Sequence, residues 1–597
     1  MNDNILEPME NRLDFFEIMQ PEKGYFIDKI IVTTYSLDMD VLIGLLILLG
    51  ASSEDIKGKS RVELLYILRN MKDKVLLFCQ AGKIINPSKL EEKTFFSFLE
   101  NVINPVKPNR RKSFHPKTYL IRYKEAGKKI YKYKFIVMSK NLTFSRNWDI
   151  SIGLNGRLES THQENSEPIY EFYKYLFNNL ENYFNEKNLK DFEEMITEIK
   201  KVNFKSENLD IFNNIEFIPM GIEKKYTKLI QGEILDKKYK RAFIISPFLS
   251  SNIVEKIYKN GNDESERILV TREDSLNKLV KIKENISGLK IYKIKDEIIT
   301  GEQDIQNNNV EVDIHAKMYL FELENGITEV FLGSANESSN AFLENGNIEF
   351  MVKLTTKRSL IDNLKQDLLY DQNGEKYFEL VQIEGMEEKN LEEENYEEII
   401  NSIISLNIIS EVIKYSEDNY KICLKIKENL MDLDKYDIKI YPLTKKEEAH
   451  QLLNKIEFNG LSLRELTQFF VVRINEQKEI IIKIPLDINI LVEREKQLSN
   501  NLVETEEEFI EYISYLLGDT SSIYMMRNIL KNSNSNKEGR GFLNIDGLYE
   551  KTLKVLSKEP EKIKELNDFI ESIKNSNNED IKDMARFFEV ILNGYAF

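Results

Sequence analysis

The sequence predicts an α/β protein whose first two thirds form two tandem repeats, and three observations support this fold class. Apolar, β-branched runs alternate with helical segments in both repeats, as is typical of mixed sheets. A His-x-Lys strand, a Ser-x-Asn strand end and an Asn-x-acid segment follow one another twice in the same order. The motif histidines, His115 and His315, lie 200 residues apart, and so do Asp149 and Glu349.

Four domains are expected, because 597 residues exceed what a single hydrophobic core normally supports. The two repeats are assigned to residues 1–205 and 206–383. An acidic connector follows, after which short apolar runs predict a small β-rich domain over residues 400–495. Residues 496–597 carry a helical period and are predicted to form a helical C-terminal domain.

The composition restricts the classes of function. A net charge of −17 argues against a protein that coats nucleic acid without specificity. Two cysteines cannot build a disulfide framework or a zinc site. The sequence shows no secretory signal and no apolar stretch of about 20 residues, the length that spans a bilayer. We therefore expect a soluble, cytoplasmic protein that does not contact a membrane.

One segment departs from the acidic average of the chain. Between Lys107 and Arg146 there are 13 basic residues and a single acid. This pattern indicates a groove that binds a polyanion, although a solvated, lysine-rich hairpin would have the same composition. Three of these residues directly precede the first His-x-Lys strand, and we expect them to contact backbone phosphates: Arg110, Arg111 and Lys112.

Each repeat supplies the same kinds of reactive side chain. Side chains at positions i and i+2 of a strand share a face, so the histidine and the lysine of each motif point the same way. The next strand ends in a hydroxyl and an amide, and a carboxylate further on can accept a hydrogen bond from the imidazole's second nitrogen. The first repeat contributes His115, Lys117, Ser139, Asn141, Asn147 and Asp149. The second contributes His315, Lys317, Ser334, Asn336, Asn347 and Glu349.

Such a cluster offers donors to the oxygens of a phosphate and one nitrogen that can act as a nucleophile or an acid. It needs no metal ion and no cofactor.

The two segments HPKTYLIRYKEAGKKIYKYKFIVMSKNLTFSRNWD and HAKMYLFELENGITEVFLGSANESSNAFLENGNIE resemble the motif of the phospholipase D superfamily. The resemblance covers roughly residues 20–375, and the first segment is similar to the variant of tyrosyl-DNA phosphodiesterases and phospholipase D-type nucleases. An aspartate of the family's motif is replaced by Arg122 in the first repeat and by Glu322 in the second. The resemblance implies two phospholipase D-like repeats that form a pseudo-twofold catalytic core.

The resemblance also implies a two-step reaction. One histidine attacks phosphorus to form a phosphohistidine, while the other protonates the leaving oxygen and later activates water. The sequence does not say which histidine is which, and the family's habit favours His115 as the nucleophile. The residues with implied catalytic roles are His115, Lys117, Asn141, Asp149, His315, Lys317, Ser334, Asn336 and Glu349. Substrate contacts are expected from Ser139, Asn147 and Asn347 in addition to the three basic residues named above.

We therefore expect a metal-independent phosphodiesterase that cleaves nucleic acid, DNA rather than RNA, in the setting of bacterial restriction or anti-phage defence. Three alternatives share the observations. One is a DNA-repair 3′-phosphodiesterase resembling tyrosyl-DNA phosphodiesterase, and another is a phospholipase D that acts on lipid head groups. The third is a non-catalytic binding subunit, for which the C-terminal region would dock a helicase or ATPase partner.

Overall fold

The computed structural model describes most of the chain up to residue 502 and isolated residues beyond it. The described residues are 6–7, 15–50, 61–87, 96, 98–108, 112–145, 147–180, 186–205, 211–286, 288–295, 313–343, 346–372, 374–383, 396–416, 418–502 and scattered positions between 505 and 589. Arg110 and Arg111 lie outside them, as does most of the predicted helical C-terminal domain.

The first sheet has seven strands in the order β5-β3-β1-β6-β7-β8-β9, and β2 pairs with β4 beside it. The central strand β1 runs parallel to β3 and antiparallel to β6. Nearly every residue of its apolar run is buried, as expected when both faces of a sheet are covered. The strands are β1 (Tyr25–Thr34), β2 (Leu37–Asp38), β3 (Val75–Gln80), β4 (Ile84–Ile85), β5 (Ile103–Val106), β6 (Thr118–Glu125), β7 (Tyr131–Met138), β8 (Ser151–Leu158) and β9 (Val202–Lys205).

The second sheet has eight strands in the order β19-β13-β12-β11-β14-β15-β16-β10, and its six inner strands repeat the order of β5 to β8 in the first sheet. Its central strand is again parallel to one neighbour and antiparallel to the other, so the predicted mixed α/β fold is confirmed. The strands are β10 (Asn214–Met220), β11 (Tyr239–Ile245), β12 (Gly261–Val270), β13 (Leu289–Ile294), β14 (Met318–Glu322), β15 (Thr328–Gly333), β16 (Glu349–Thr356) and β19 (Phe378–Val381). Between β16 and β19 in the chain, β17 (Tyr370–Asp371) and β18 (Gly374–Glu375) form a separate two-stranded sheet.

The two sheets share one apolar core. The ring of Phe135 on β7 lies 5.3 Å from that of Phe350 on β16, and the Phe172 ring lies 5.0 Å from the Phe350 ring. Burial of these rings on both sheets holds the two halves in a fixed relation. The helices of the two halves are α1 (Phe15–Met19), α2 (Met39–Gly50), α3 (Arg61–Lys72), α4 (Glu167–Asn178), α5 (Glu186–Glu198), α6 (Lys224–Ile230), α7 (Ser251–Tyr258), α8 (Leu276–Val280), α9 (Ser339–Phe342) and α10 (Ile361–Leu364).

A third region follows with a three-stranded and a four-stranded sheet. Phe469 and Ile481 of this region join the apolar cluster that covers the first sheet. Arg494 and Glu100, both almost fully buried, form a bidentate ion pair across the same contact. Its elements are α11 (Glu397–Ile404), β20 (Ile408–Ser416), β21 (Asn419–Ile426), β22 (Ile438–Pro442), β23 (His450–Gln451), β24 (Lys455–Leu461), β25 (Phe469–Ile474), β26 (Lys478–Lys483) and α12 (Ile488–Leu502).

In the part of the chain that the structure describes, every helix is too short or too polar to cross a bilayer.

Candidate active site

The two halves exchange backbone hydrogen bonds where their motifs meet. The residue before His115, Phe114, forms a parallel bridge with Ile348 of the second half. Ile314, the residue before His315, forms the same bridge with Trp148 of the first half. The His115 amide donates to the Ile348 carbonyl at 2.9 Å, and the His315 amide donates to the Trp148 carbonyl at 2.8 Å. Each His-x-Lys segment is therefore held by the Asn-x-acid segment of the other half.

The carboxylates cross the interface in the same way. Nδ1 of His115 lies 2.9 Å from Oε2 of Glu349, and Nδ1 of His315 lies 2.9 Å from Oδ1 of Asp149. The order of residues along the chain suggested an acid for the histidine of its own repeat. The structure instead supplies each imidazole from the opposite repeat, because the bridged backbones bring those residues side by side.

The two serines orient the carboxylates. Ser139 Oγ donates to Asp149 Oδ1 at 2.6 Å, and Ser334 Oγ donates to Glu349 Oε2 at 2.5 Å. Each hydroxyl also accepts an amide hydrogen bond from the residue after its acid. Both serines therefore act through the carboxylates and fix the oxygen that the histidine contacts. The substrate contact expected of Ser139 stays a prediction.

The lysines are fully buried beside the histidines. Nζ of Lys117 donates to the His115 carbonyl at 2.6 Å, and Lys317 makes the same bond to the His315 carbonyl. Burial lowers the pKa of Lys117 to about 7 and that of Lys317 well below its usual value. An anion between the two ammonium groups would offset this desolvation, so the pair is suited to a phosphate.

The asparagines divide into two kinds. Oδ1 of Asn141 and Oδ1 of Asn336 are buried and have no hydrogen-bond partner among the described residues. Asn347 instead joins the halves, since its Nδ2 donates to Glu349 at 3.1 Å and its Oδ1 accepts from the Ser113 amide. Asn347 therefore positions the acid, and the substrate contact expected of it stays a prediction. Asn147 is partly buried next to Asp149.

The protonation of the site follows from burial and pairing. Desolvation lowers the pKa of His315 to about 3 and lowers the pKa of His115, although the partner carboxylates oppose both shifts. Burial would raise the pKa of each acid, but the His115 imidazole holds that of Glu349 below its usual value. His315 does the same for Asp149 through its hydrogen bond. Before substrate binds, the site therefore contains neutral imidazoles and ionised acids. Lys317 also lowers the pKa of His115, and Lys117 that of His315, so each half's ammonium acts on the other's imidazole.

The two departures from the family's motif have structural roles. Arg122 is buried and pairs with Asp28 at 2.6 Å and with Glu198 at 3.1 Å. Glu322 accepts backbone hydrogen bonds from Leu360 and Ile361, and so caps the turn that leads into α10. Neither residue belongs to the reactive cluster.

The lysines of the basic stretch that begins at Lys107 differ in whether they pair with a carboxylate. Lys128 and Lys132 form surface ion pairs with Glu125 and Glu22, which neutralise part of its charge. Lys107 and Lys112 form no ion pair with any described carboxylate. The unpaired positive charge of this stretch is therefore smaller than the sequence suggested.

Two residues of the site carry no sequence signal. The ring of Tyr35 lies 4.9 Å from the His115 ring in an edge-on contact. Oε1 of Gln80 accepts a hydrogen bond from the Phe114 amide at 2.7 Å. Tyr35 directly follows β1 and Gln80 ends β3, so both reach the motif only because those strands end at the same edge of the sheet. Among the described residues, no group of three or more His, Cys, Asp or Glu side chains could hold a metal ion.

No protein-family profile and no curated protein matches the sequence. Among solved structures the chain is similar to yeast tyrosyl-DNA phosphodiesterase, with 12% identity over 58% of this chain and 88% of that chain and a TM-score of 0.33. For polyphosphate kinase from Porphyromonas gingivalis the identity is 13%, the coverage is 56% of this chain and 44% of that chain, and the TM-score is 0.29. For NucT from Helicobacter pylori the identity is 16%, the coverage is 26% of this chain and 92% of that chain, and the TM-score is 0.20.

Proposed function

We propose that the chain is a metal-independent phosphodiesterase of the phospholipase D type that cleaves nucleic acid through a phosphohistidine. The observation that carries the proposal is the crossed pairing of His115 with Glu349 and of His315 with Asp149. This pairing joins two phospholipase D-like repeats into one site with two imidazoles. Two buried lysines complete that site.

His115 has the features of the nucleophile. Its Nδ1 lies within hydrogen-bond distance of both Glu349 and the Ser334 carbonyl, at 2.9 and 3.1 Å. Both partners can only accept, so Nδ1 carries the proton and Nε2 keeps its lone pair. In the first step Nε2 attacks phosphorus, the bond from phosphorus to the leaving oxygen breaks, and that oxygen takes a proton from the His315 imidazolium.

In the second step water attacks the phosphohistidine. His315 accepts a proton from the water, and the bond between phosphorus and nitrogen breaks to release a terminal phosphate. Before substrate binds, burial lowers the pKa of His315 to about 3. The acid form therefore requires the negative charge of the bound phosphodiester, which favours the imidazolium. The lysines hold the phosphoryl oxygens, on which charge builds in each step.

Nucleic acid is the substrate class that the charge pattern favours. Lys112 lies three residues before His115 and is only partly buried. On an acidic chain, a lysine that pairs with no described carboxylate and lies this close to the nucleophile is suited to a polyanion with phosphates on both sides of the cleaved bond. We propose DNA rather than RNA, with a role in bacterial restriction or anti-phage defence that would place the enzyme in the cytoplasm. Under this proposal the C-terminal region is the part that would dock a helicase or ATPase.

The test is cleavage of single- and double-stranded DNA and RNA in excess EDTA. We expect the wild type to cleave DNA, and His115→Ala and His315→Ala to lose about a hundredfold or more of this activity. The chain offers two matched controls in its other histidines. His162→Ala and His450→Ala change exposed residues that pair with surface glutamates, and they should cleave like the wild type.

The same assay separates the alternatives. Activity on a 3′-phosphotyrosyl oligonucleotide without cleavage of plain DNA would favour the repair reaction. Release of head groups from liposomes, with no action on nucleic acid, would favour the lipid reaction. Equal activity of the wild type and both site variants would contradict catalysis by this site.

A further inference from the structure

A cleft of about 410 Å³ lies between the first half and the third region. Its walls come from the carboxyl ends of β3 and β5, the end of α4, the end of α11 with the start of β20, and the end of β26. The third region packs closely against the first half at one wall of the cleft. A Cβ added to Gly82 after β3 would lie 2.6 Å from Cδ1 of Ile404 on α11.

The cleft lies at the same edge of the sheet as the reactive histidines. Strands β1, β3 and β5 are parallel, so their carboxyl ends share one edge, where ligands of α/β sheets commonly bind. Tyr35 directly follows β1 and touches the His115 ring, and Gln80 at the end of β3 holds the Phe114 amide. Ile348, the residue before Glu349, also lines the cleft. A strand leaving the active site along this edge would enter it.

The charge of the cleft is opposite to that of the chain. Its lining includes three lysines, Lys107, Lys112 and Lys483, and no aspartate or glutamate. The chain as a whole has 100 acidic and 83 basic residues. Lys107 is exposed, and neither Lys107 nor Lys112 pairs with a carboxylate in the described part of the chain. This local excess of positive charge favours an anionic occupant.

The buried side-chain amide of Asn104 favours a ligand with hydrogen-bond donors. Asn104 lines the cleft and is only 5% exposed. Its Nδ2 donates to the Val102 carbonyl at 2.9 Å, whereas its Oδ1 is buried with no partner among the described residues. Such an acceptor costs free energy unless a donor meets it, and the amino or imino groups of bases are donors of this kind. Tyr175 and the isoleucines of the lining offer apolar faces to the bases.

From these observations we infer that this cleft binds a single strand of nucleic acid next to the cleaved phosphodiester. Ligand pockets have volumes of roughly 300–1,000 Å³, so a cleft at the lower end of that range holds one or two nucleotides and excludes a duplex. The inference rests on the proposed function. It adds that the strand is unpaired on the side of the active site that faces the third region.

The test compares a long substrate with a short one. Lys107→Glu changes an exposed residue, and Lys240→Glu, at the amino end of β11 and so at the opposite edge of its sheet, is the matched control. The long substrate is a single-stranded oligonucleotide, and the short one is bis(p-nitrophenyl) phosphate, which fills only the site of chemistry. We expect Lys107→Glu to raise the ratio of the oligonucleotide KM to the nitrophenyl KM about tenfold. Lys240→Glu should leave this ratio unchanged.

The outcomes separate this inference from the proposed function. A wild type that cleaves the nitrophenyl diester, with the same KM ratio in Lys107→Glu and Lys240→Glu, would overturn the inference alone. An equal rise of both KM values in Lys107→Glu would also overturn it, since the effect would then act on the active site itself. Tight binding of blunt duplex with no preference for single strands would contradict the exclusion of a duplex. A wild type that cleaves neither substrate would overturn the proposed function.

Discussion

Glu349 of the second half holds Nδ1 of His115 in the first half at 2.9 Å, and Asp149 holds His315 in the reverse direction. Among the described residues, therefore, neither motif histidine pairs with a carboxylate of its own half. The exchange explains why the chain carries two copies of one motif, because each copy orients the reactive group of the other. Because each pair crosses between the halves, the reactivity of both histidines depends on how the two sheets pack together.

The crossed carboxylates are expected to control turnover more than binding. Asp149→Asn and Glu349→Gln replace an acceptor by an amide that can present a donor to Nδ1 and so favour the wrong tautomer. We expect kcat to fall by about a hundredfold or more with a small change in KM, measured on bis(p-nitrophenyl) phosphate. Glu167→Gln is the matched control, because Glu167 pairs with the exposed His162 at 2.8 Å. A loss of the same size in the control would contradict this role.

The buried lysine predicts a pH dependence. Burial lowers the pKa of Lys117 to about 7, so in the free enzyme its ammonium, which we propose binds the phosphate, is present below that pH and is lost above it. We expect kcat/KM to fall as the pH rises through about 7. Arginine keeps its charge, so this fall should move to higher pH in Lys117→Arg. A flat wild-type profile well into the alkaline range, or the same fall in Lys117→Arg, would contradict the assignment.

Glu337 is an acid in a position that suits an apolar residue. It follows Asn336 as Leu142 follows Asn141, is fully buried, and both its carboxyl oxygens lack a partner among the described residues. Burial raises the pKa of Glu337 well above its usual 4.5, so the folded protein keeps it protonated. The unfolded chain releases that proton as the pH rises above 4.5, and the stability of the wild type falls accordingly.

We expect Glu337→Leu to raise the free energy of unfolding at neutral pH by about 1–3 kcal/mol. It should also reduce the loss of stability between mildly acidic and neutral pH. Chemical denaturation at several pH values measures both effects, with the exposed Glu324→Leu as the control. A destabilised Glu337→Leu would show that the carboxyl makes a favourable interaction.

The ion pair between Arg494 and Glu100 joins the third region to the first half. Arg494 Nη2 and Nη1 lie 2.8 and 3.1 Å from the two carboxylate oxygens, and both side chains are almost fully buried. Removal of one partner leaves an uncompensated charge, so Arg494→Leu or Glu100→Leu should each cost about 3–5 kcal/mol of stability. The double variant should lose much less than the sum.

Thermal and chemical unfolding of the two single variants and the double variant measure this coupling. The exposed pair of Lys414 and Glu493, 3.2 Å apart, is the control, and its coupling should be much weaker than that of the buried pair. Additive losses for Arg494 and Glu100 would mean that the two side chains do not interact across the contact.

The residue types of the site could be predicted from the sequence, because the spacing within each motif places histidine and lysine on one strand face. Their partners could not, since the order of residues does not say which half supplies the acid for His115. Tyr35 and Gln80 reach the site from strand ends that carry no motif. The roles of Arg122 and Glu322 depend on partners far along the chain, such as Asp28 and Leu360, that only the fold brings close.

The sequence likewise predicted the type of fold but not every contact within it. Alternating apolar runs indicated the mixed sheets, because buried strands and amphipathic helices have distinct periods. The contact between the third region and the first sheet was not predicted, since it depends on how the buried faces of Phe469 and Ile481 meet that sheet. The cleft beside the active site exists only because of this contact.

The most direct test of two histidines acting in one site is to trap the covalent intermediate. An oligonucleotide with a 3′-p-nitrophenyl phosphate carries a leaving group that needs no acid, so His315→Ala should still form the phosphohistidine but release it slowly. We predict a burst of one nitrophenolate per enzyme in excess EDTA, with the nucleotide attached to His115 by peptide mass analysis. His115→Ala should show neither the burst nor the adduct. Steady turnover in either variant, with no phosphohistidine in any protein, would contradict the mechanism.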